Sequence, residues 1–143
     1  MGELVCTFFG HRDCSEAIKP KLYKTIESMI IENNCKKFYV GNHGNFDSVV
    51  SAVLEELQKL YNIKTNIVLA YMPTGENIVY KHQTVLPEGI ERTPKRFAIN
   101  FRNKWMVDNA DIVVTFVKNT FGGAATFKEY AIKKNKTVIE LCE

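Results

Sequence analysis

The four cysteines of this chain, Cys6, Cys14, Cys35 and Cys142, contain no CxxC pair and fall at no metal-ligand spacing with His11, His43 and His82. That excludes a structural zinc site and fits a reduced compartment. No apolar run approaches the roughly 20 residues that cross a bilayer. The amino terminus, MGELVCTFFGHRD, has no basic leader and meets charge within its first thirteen residues, so it reads as a first strand and not as a signal peptide. Cys6 stands where an N-myristoylation signal needs Ser or Thr. Charge of one sign is scarce as well: 19 Lys plus Arg against 16 Asp plus Glu leave a net +3, too little for a chain that coats a phosphate backbone. Lys133, Lys134 and Lys136 form the one dense basic cluster, and no aromatic follows them in helical register, so a single-stranded nucleic-acid groove is not expected. No Ser-His-Asp or Cys-His arrangement has motif context, and nothing marks Cys14 as a nucleophile. Repeats, low-complexity tracts and composition breaks are absent too.

What remains is an ordinary globular composition, 45% hydrophobic and 24% charged over 143 residues, enough for one domain that buries roughly 70% of its unfolded surface. Apolar runs rich in β-branched and aromatic residues alternate with segments of helical period, the signature of βαβ units and a parallel sheet. Strands are predicted at 4–9, 37–41, 66–71, 111–117 and 137–142. A helix over 20–33 has Ile18, Leu22, Ile26, Met29 and Ile30 on one side, with Pro20 in its first turn. The next is marked by Phe46, Val49, Val50, Val53, Leu54, Leu57 and Leu60 at three- and four-residue steps. A third, over 96–108, has Phe97, Phe101 and Trp105 turned to the core, and a fourth spans 124–134. The stretch 72–95 holds three of the four prolines and reads as a lid or extended arm. The expected fold is α/β, a three-layer Rossmann-like sandwich with an open, mostly parallel sheet of about five strands in a single domain.

In such a sheet the ligand crevice lies beyond the carboxyl ends of the strands, and the segments there are polar and glycine-rich. Gly10-His11-Arg12-Asp13 follows the first strand, Gly41-Asn42-His43-Gly44-Asn45-Phe46-Asp47 the second, and Asn119 to Thr126 the fourth. In the last loop Gly122 and Gly123, followed by Ala124, Ala125 and Thr126, let a phosphate approach the free N–H groups of a helix start; a tight turn without a ligand is the plainer alternative. Gly41, Asn42 and Gly44 repeat that logic, and Asp47 either accepts ribose hydroxyls or caps its helix. His11 and Arg12 either meet a phosphate or ring nitrogen or form a surface turn. Glu129 shares a helical face with the glycine turn and either orients water or a sugar hydroxyl or pairs with Lys133. Arg102, flanked by Ala98 and Met106, is expected to be part-buried, its anion being a ligand phosphate, Asp108 or Glu129. His43, Lys81 and His82 read as ordinary polar loop residues.

The combination Phe9-Gly10-His11-Arg12-Asp13, Tyr39-Val40-Gly41-Asn42, Arg102 to Asp108, and Gly122-Gly123-Ala124-Ala125-Thr126 with Glu129-Tyr130-Ala131 strongly resembles small YpsA-like members of the SLOG superfamily, essentially from end to end. That superfamily also holds the LOG phosphoribohydrolases and the DprA single-strand DNA-binding proteins. Arg102, Met106 and Asp111 fall on the LOG spacing, and Gly122, Gly123, Thr126 and Glu129 on its GGxGTxxE motif. Phe121 stands where that motif has proline, and Ala125 where it has a third glycine. The resemblance implies a phosphorylated nucleoside or ADP-ribose-like ligand, with Arg102 and Glu129 as a catalytic pair for N-glycosidic hydrolysis, or else a non-catalytic sensor or sequestering protein. It implies a dimer or larger homo-oligomer. No cofactor, metal, membrane or nucleic-acid partner is expected, and the chain reads as cytoplasmic.

Overall fold

The structure is a computed structural model that describes residues 2–71 and 82–142. Alternating strands and helices run β1 (Leu4–Gly10), α1 (Lys19–Glu32), β2 (Cys35–Val40), α2 (Asn45–Gln58), β3 (Lys64–Val68), β4 (Gln83–Val85), α3 (Lys95–Asp108), β5 (Ile112–Phe116), α4 (Gly123–Lys133) and β6 (Thr137–Glu140). Among the described residues the strands form one six-stranded sheet, ordered β4-β3-β2-β1-β5-β6, and every pairing is parallel. From β1 the chain builds outward through β2, β3 and β4, then returns to place β5 on the other side of β1. The order therefore reverses between β1 and β5, which is where an open α/β sheet opens a crevice.

Strand alternation separates the two cores, because successive side chains point to opposite faces. Cys6 and Phe8 of β1 join Phe38 and Val40 of β2 and Ile112 and Val114 of β5 under α1 and α2, while Phe9, Tyr39 and Val113 pack with Met106, Val107, Phe127 and Ala131 of α3 and α4. Phe8, Phe38 and Phe46 are at most 1% exposed, and each contributes about 2 kcal/mol by burial alone. The α1 stripe is buried as its spacing requires, through Leu22, Ile26, Met29 and Ile30, with Pro20 in the first turn. Helices α1 and α4 are followed by Asn34 (φ 55°) and Asn135 (φ 60°), since asparagine tolerates the left-handed conformation that ends a helix.

Three expectations need correction. The sheet has a sixth strand, β4, inside the stretch read as a lid or arm; three residues are too few to show a period in sequence. Residues 72–81 of that stretch, Lys81 included, lie outside the described residues, while 82–95 hold β4, a 3-10 turn at Ile90–Arg92 and the start of α3. The helix α2 ends at Gln58, so Leu60 is exposed and does not extend its stripe. The face that α3 buries is Ala98, Arg102, Met106 and Val107. Phe97 is half exposed with the Arg96 guanidinium 4.8 Å from its ring centre, and Trp105 is only partly buried, against Tyr39. No helix among the described residues is long and apolar enough to cross a membrane.

Candidate functional site

A cavity of about 380 Å³ opens at the carboxyl ends of β1 and β5, in the range of ligand pockets. Gly10, His11, Arg12 and Asp13 line it from β1, His43 and Asp47 from the turn into α2, Ile99, Arg102, Asn103 and Met106 from α3, and Asn119 and Phe121 to Ala124 from the turn into α4. A second cavity of about 310 Å³ along α2 is lined by Gly41, Asn42, Ser48, Ser51 and Glu55 and shares Asp47 with the first. Thus all three loops meet at the first cavity, and the second recess beside it shares Asp47.

The helix starts share one construction. α2 follows Gly44 (φ 90°, ψ 172°) and α4 follows Gly122 (φ 98°, ψ 172°), and neither has a side-chain cap. Only glycine adopts such angles without strain, and no side chain caps the first-turn N–H groups of either helix. At Gly44 the fit is also steric, for a β-carbon there would stand 2.8 Å from the Arg12 Cα, and the Asn45 N–H donates to the Arg12 carbonyl at 2.8 Å. The second loop is thereby seated on the first. At Gly122 and Gly123 no atom lies within 4 Å of a built β-carbon, so the α4 turn faces open space. Thr126 holds this turn by donating its hydroxyl to the Gly122 carbonyl at 3.0 Å. Gly10 is packed on the Phe46 ring.

Arg102 is 2% exposed. Its Nε donates to Asn103 Oδ1 at 2.7 Å, Nη1 to Asn42 Oδ1 and to the Val68 carbonyl, both at 3.1 Å, and Nη2 to His43 Nδ1 at 3.3 Å. Four of its five N–H groups are thus engaged, and no carboxylate among the described residues lies in ion-pair range. Gly41 sits between the guanidinium and Asp47: a β-carbon there would be 2.8 Å from Asp47 Oδ2 and 3.1 Å from Arg102 Nη1. Burial lowers the His43 pKa, and the charges of Arg102 and Arg12 add to that; the neutral ring accepts at Nδ1 and therefore carries its proton on Nε2.

Of the two alternatives for Asp47, the helix-bracing one has a contact. Asp47 Oδ2 accepts the His43 N–H at 3.0 Å, bracing the start of α2, while Oδ1 has no hydrogen-bond partner among the described residues. Burial pushes its carboxyl from the ordinary 3.8 up to about 6, against the opposing pull of the His43 N–H, Arg102 and Arg12.

On the β5 side, His11 Nε2 accepts the Lys118 N–H at 2.7 Å and the ring lies edge-on to Phe116. Sequence reasoning missed what holds this loop. Glu140, at the end of β6, accepts from Val117 N–H (3.0 Å), Cys142 N–H (2.8 Å), Thr115 Oγ1 (2.7 Å) and Lys128 Nζ (2.9 Å). Burial raises its carboxyl, but these four donors outweigh that and hold it below the ordinary value. Val117 opens the loop and Lys128 belongs to the helix that closes it, so Glu140 clamps both flanks. Glu140→Ala is expected to lower stability by about 2 kcal/mol, the scale of lost charge-assisted hydrogen bonds, and to shift the His11 ring nitrogen resonances as the Lys118 bond loosens. An unchanged urea midpoint with unchanged His11 resonances would refute the clamp.

The structure does not bring every expected residue to the cavity. Ala125 is buried and does not line the cavity, and Thr126 is exposed and engaged with Gly122. Glu129 is exposed; at 100° per residue it lies nearly opposite Phe127 and Ala131, which pack in the core under the sheet, and on the same side as Ala125, and it does not line the cavity. It makes no ion pair with Lys133 among the described residues. Asp108 accepts the Tyr130 hydroxyl at 2.7 Å, and the partners of Arg102 are Asn103, Asn42, Val68 and His43, not Asp108 or Glu129. Asp111 lies at the opposite end of the sheet, its Oδ2 accepting the Val5 N–H at 2.9 Å. His43, read as an ordinary loop residue, belongs to the site, and His82 is buried with Nε2 on the Ser51 carbonyl at 3.2 Å.

No family model matches the sequence, and no curated protein matches it. Among solved structures the chain is similar to DNA processing protein A (DprA) from Streptococcus pneumoniae, with a TM-score of 0.70 and 17% identity. The match covers 96% of this chain and 50% of the other, so the chain spans about half the length of that protein. At this identity the likeness is one of architecture: the chain has a Rossmann-type α/β fold similar to that of DprA.

Proposed function

We propose that the protein binds a phosphorylated nucleoside or an ADP-ribose-like ligand in the cavity at the β1–β5 crevice. The observation that carries this reading is the convergence of two uncapped, glycine-opened helix starts on one recess that also holds Arg102 and Asp47. The α4 turn, with open space over Gly122 and Gly123, suits a phosphate, because uncapped N–H groups and the helix dipole both favour an anion there. The free Oδ1 of Asp47 suits a sugar hydroxyl donor, and Arg12, exposed at the rim, adds positive charge.

Binding without turnover fits the geometry better than hydrolysis of the N-glycosidic bond by Arg102 and Glu129. Glu129 is exposed and does not line the cavity, and Arg102 has most of its donors committed to Asn42, Val68, His43 and Asn103. A sensor or sequestering role for a nucleotide signal follows.

Mass spectrometry of small molecules separates the readings, after incubation of the purified protein with nucleoside monophosphates, NAD and ADP-ribose. The expected result is an intact nucleotide retained by the protein. Free base with ribose phosphate, lost in Glu129→Gln, would establish an N-glycosidase instead, and retention of none of these compounds would overturn the nucleotide reading. A single-stranded oligonucleotide, tested by gel shift at low and moderate salt, is expected to lose its hold as salt rises.

A further inference from the structure

The cavity is chemically divided. His11, Arg12, Asp13, His43, Asp47 and Arg102 form its polar side, whereas Phe9, Ile99, Met106 and Phe121 supply apolar surface. Three of those four are built into the fold: Phe9 is 6% and Met106 1% exposed, and Ile99 is partly buried. Phe121 is different, being 73% exposed, the most exposed of the large hydrophobic side chains among the described residues. Phe97, the other strongly exposed phenylalanine, has a guanidinium over its ring; no aromatic or cationic group is stacked on Phe121 among the described residues. An aromatic ring left in water at the rim of a cavity, next to a polar wall, is surface awaiting a partner.

Its place in the chain adds a second constraint. Phe121 immediately precedes Gly122 and Gly123, the turn that opens α4 toward open space. A ligand whose anionic group rests on that turn has its next few atoms beside the Phe121 ring. We infer that Phe121 is the stacking residue of the site, and that the ligand class is therefore a phosphate carrying a flat heterocycle, a nucleobase, and not a sugar phosphate alone. This inference rests on the nucleotide reading above and narrows it. Selection by a π-face tolerates any base, so Phe121 contributes affinity for the presence of a base and little preference among bases.

The test is calorimetric titration of AMP, GMP, CMP, UMP and ribose 5-phosphate into wild-type protein, Phe121→Ala and Phe121→Leu. Alanine is expected to weaken each nucleotide about tenfold or more, within the range of base-aromatic stacking, while ribose 5-phosphate changes less than about twofold. Leucine, which keeps apolar area and loses the π-face, falls between. Both variants should unfold at the wild-type temperature, because the ring packs against little. Wild-type protein that binds none of these compounds overturns the nucleotide reading and this inference with it. Wild-type protein that binds the nucleotides, with Phe121→Ala doing so equally well, overturns this inference alone, as does an equal loss for ribose 5-phosphate. A Phe121→Ala variant that changes only its size-exclusion volume assigns the ring to a subunit contact and also overturns it.

Discussion

Arg102→Met is expected to lower the stability of the protein by about 3 kcal/mol, the scale on which a buried charged partner is missed when only one side is removed. Methionine fills much of the space of the arginine stem, so the loss is not mainly one of packing. It arises because the Val68 carbonyl, at 3.1 Å from Nη1 inside the fold, is left without a donor, and because Asn42, Asn103 and His43 lose the group that aligns them. Arg102→Lys restores charge without the planar fork, and a single ammonium cannot serve acceptors spread over β3, the β2–α2 turn and α3. Lysine is therefore expected to recover less than half of the loss. Urea unfolding at pH 7 gives the measurement; an Arg102→Met protein within about 0.5 kcal/mol of wild type would mean that the guanidinium is held by the fold without holding it. A second readout follows from electrostatics. Arg102 pulls the Asp47 carboxyl down against the effect of burial, so its removal raises that pKa further, and the substitutions Arg102→Met and Asp47→Asn are expected to be non-additive.

The same residue shows where a sequence stops being informative. The alternation of strands and helices, the α1 and α2 stripes and the placing of glycine-rich turns beyond the carboxyl ends of the strands were legible, because each depends on local periodicity or on the few residues just beyond a strand. On α3 periodicity misled: the aromatic spacing of Phe97, Phe101 and Trp105 points to one face, yet the buried face runs through Ala98, Arg102 and Met106. A charged residue in the middle of a buried stripe breaks the apolar pattern that would announce it, and only the acceptors on β3 and the β2–α2 turn, far off in sequence, explain its burial. Glu129 shows the converse. Its distance from the glycine turn placed it near the ligand, but the rotation of α4 is set by Phe127 and Ala131 packing on the sheet, and that rotation turns Glu129 to solvent. Glu140 carried no signal at all, since a clamp made from the last strand to loops around β5 exists only once β5 and β6 pair.

Asp47→Asn is expected to stabilise the protein above pH 7 and to flatten its stability between about pH 4 and pH 6. The sign follows from which state holds the proton. In the folded protein burial pushes the Asp47 carboxyl up to about 6, from an ordinary 3.8, so across that window the folded state binds a proton that the unfolded chain has released. Stability therefore falls as pH rises through the window, and by pH 7 the loss approaches about 3 kcal/mol. Asparagine removes this cost while its amide oxygen still accepts the His43 N–H that Asp47 Oδ2 receives at 3.0 Å. Urea midpoints of wild type and Asp47→Asn, taken from pH 4.5 to 7.5, should differ least at the acid end and separate as pH rises. Parallel curves would show that Asp47 titrates at its ordinary value. Glu140 does not confuse the comparison: its carboxyl is held below the ordinary 4.5, so its contribution is lost as pH falls through that value, and wild type and Asp47→Asn share it equally. A carboxylate kept in the wall of a cavity at a cost to the fold is the expected mark of a binding group. Donation from a ligand hydroxyl to Oδ1 would favour the charged form and lower the pKa, so nucleotide binding near pH 6 should release protons. Calorimetric titration in buffers of different ionisation enthalpy would register that release in wild-type protein, and its disappearance in Asp47→Asn would tie the proton to this one side chain.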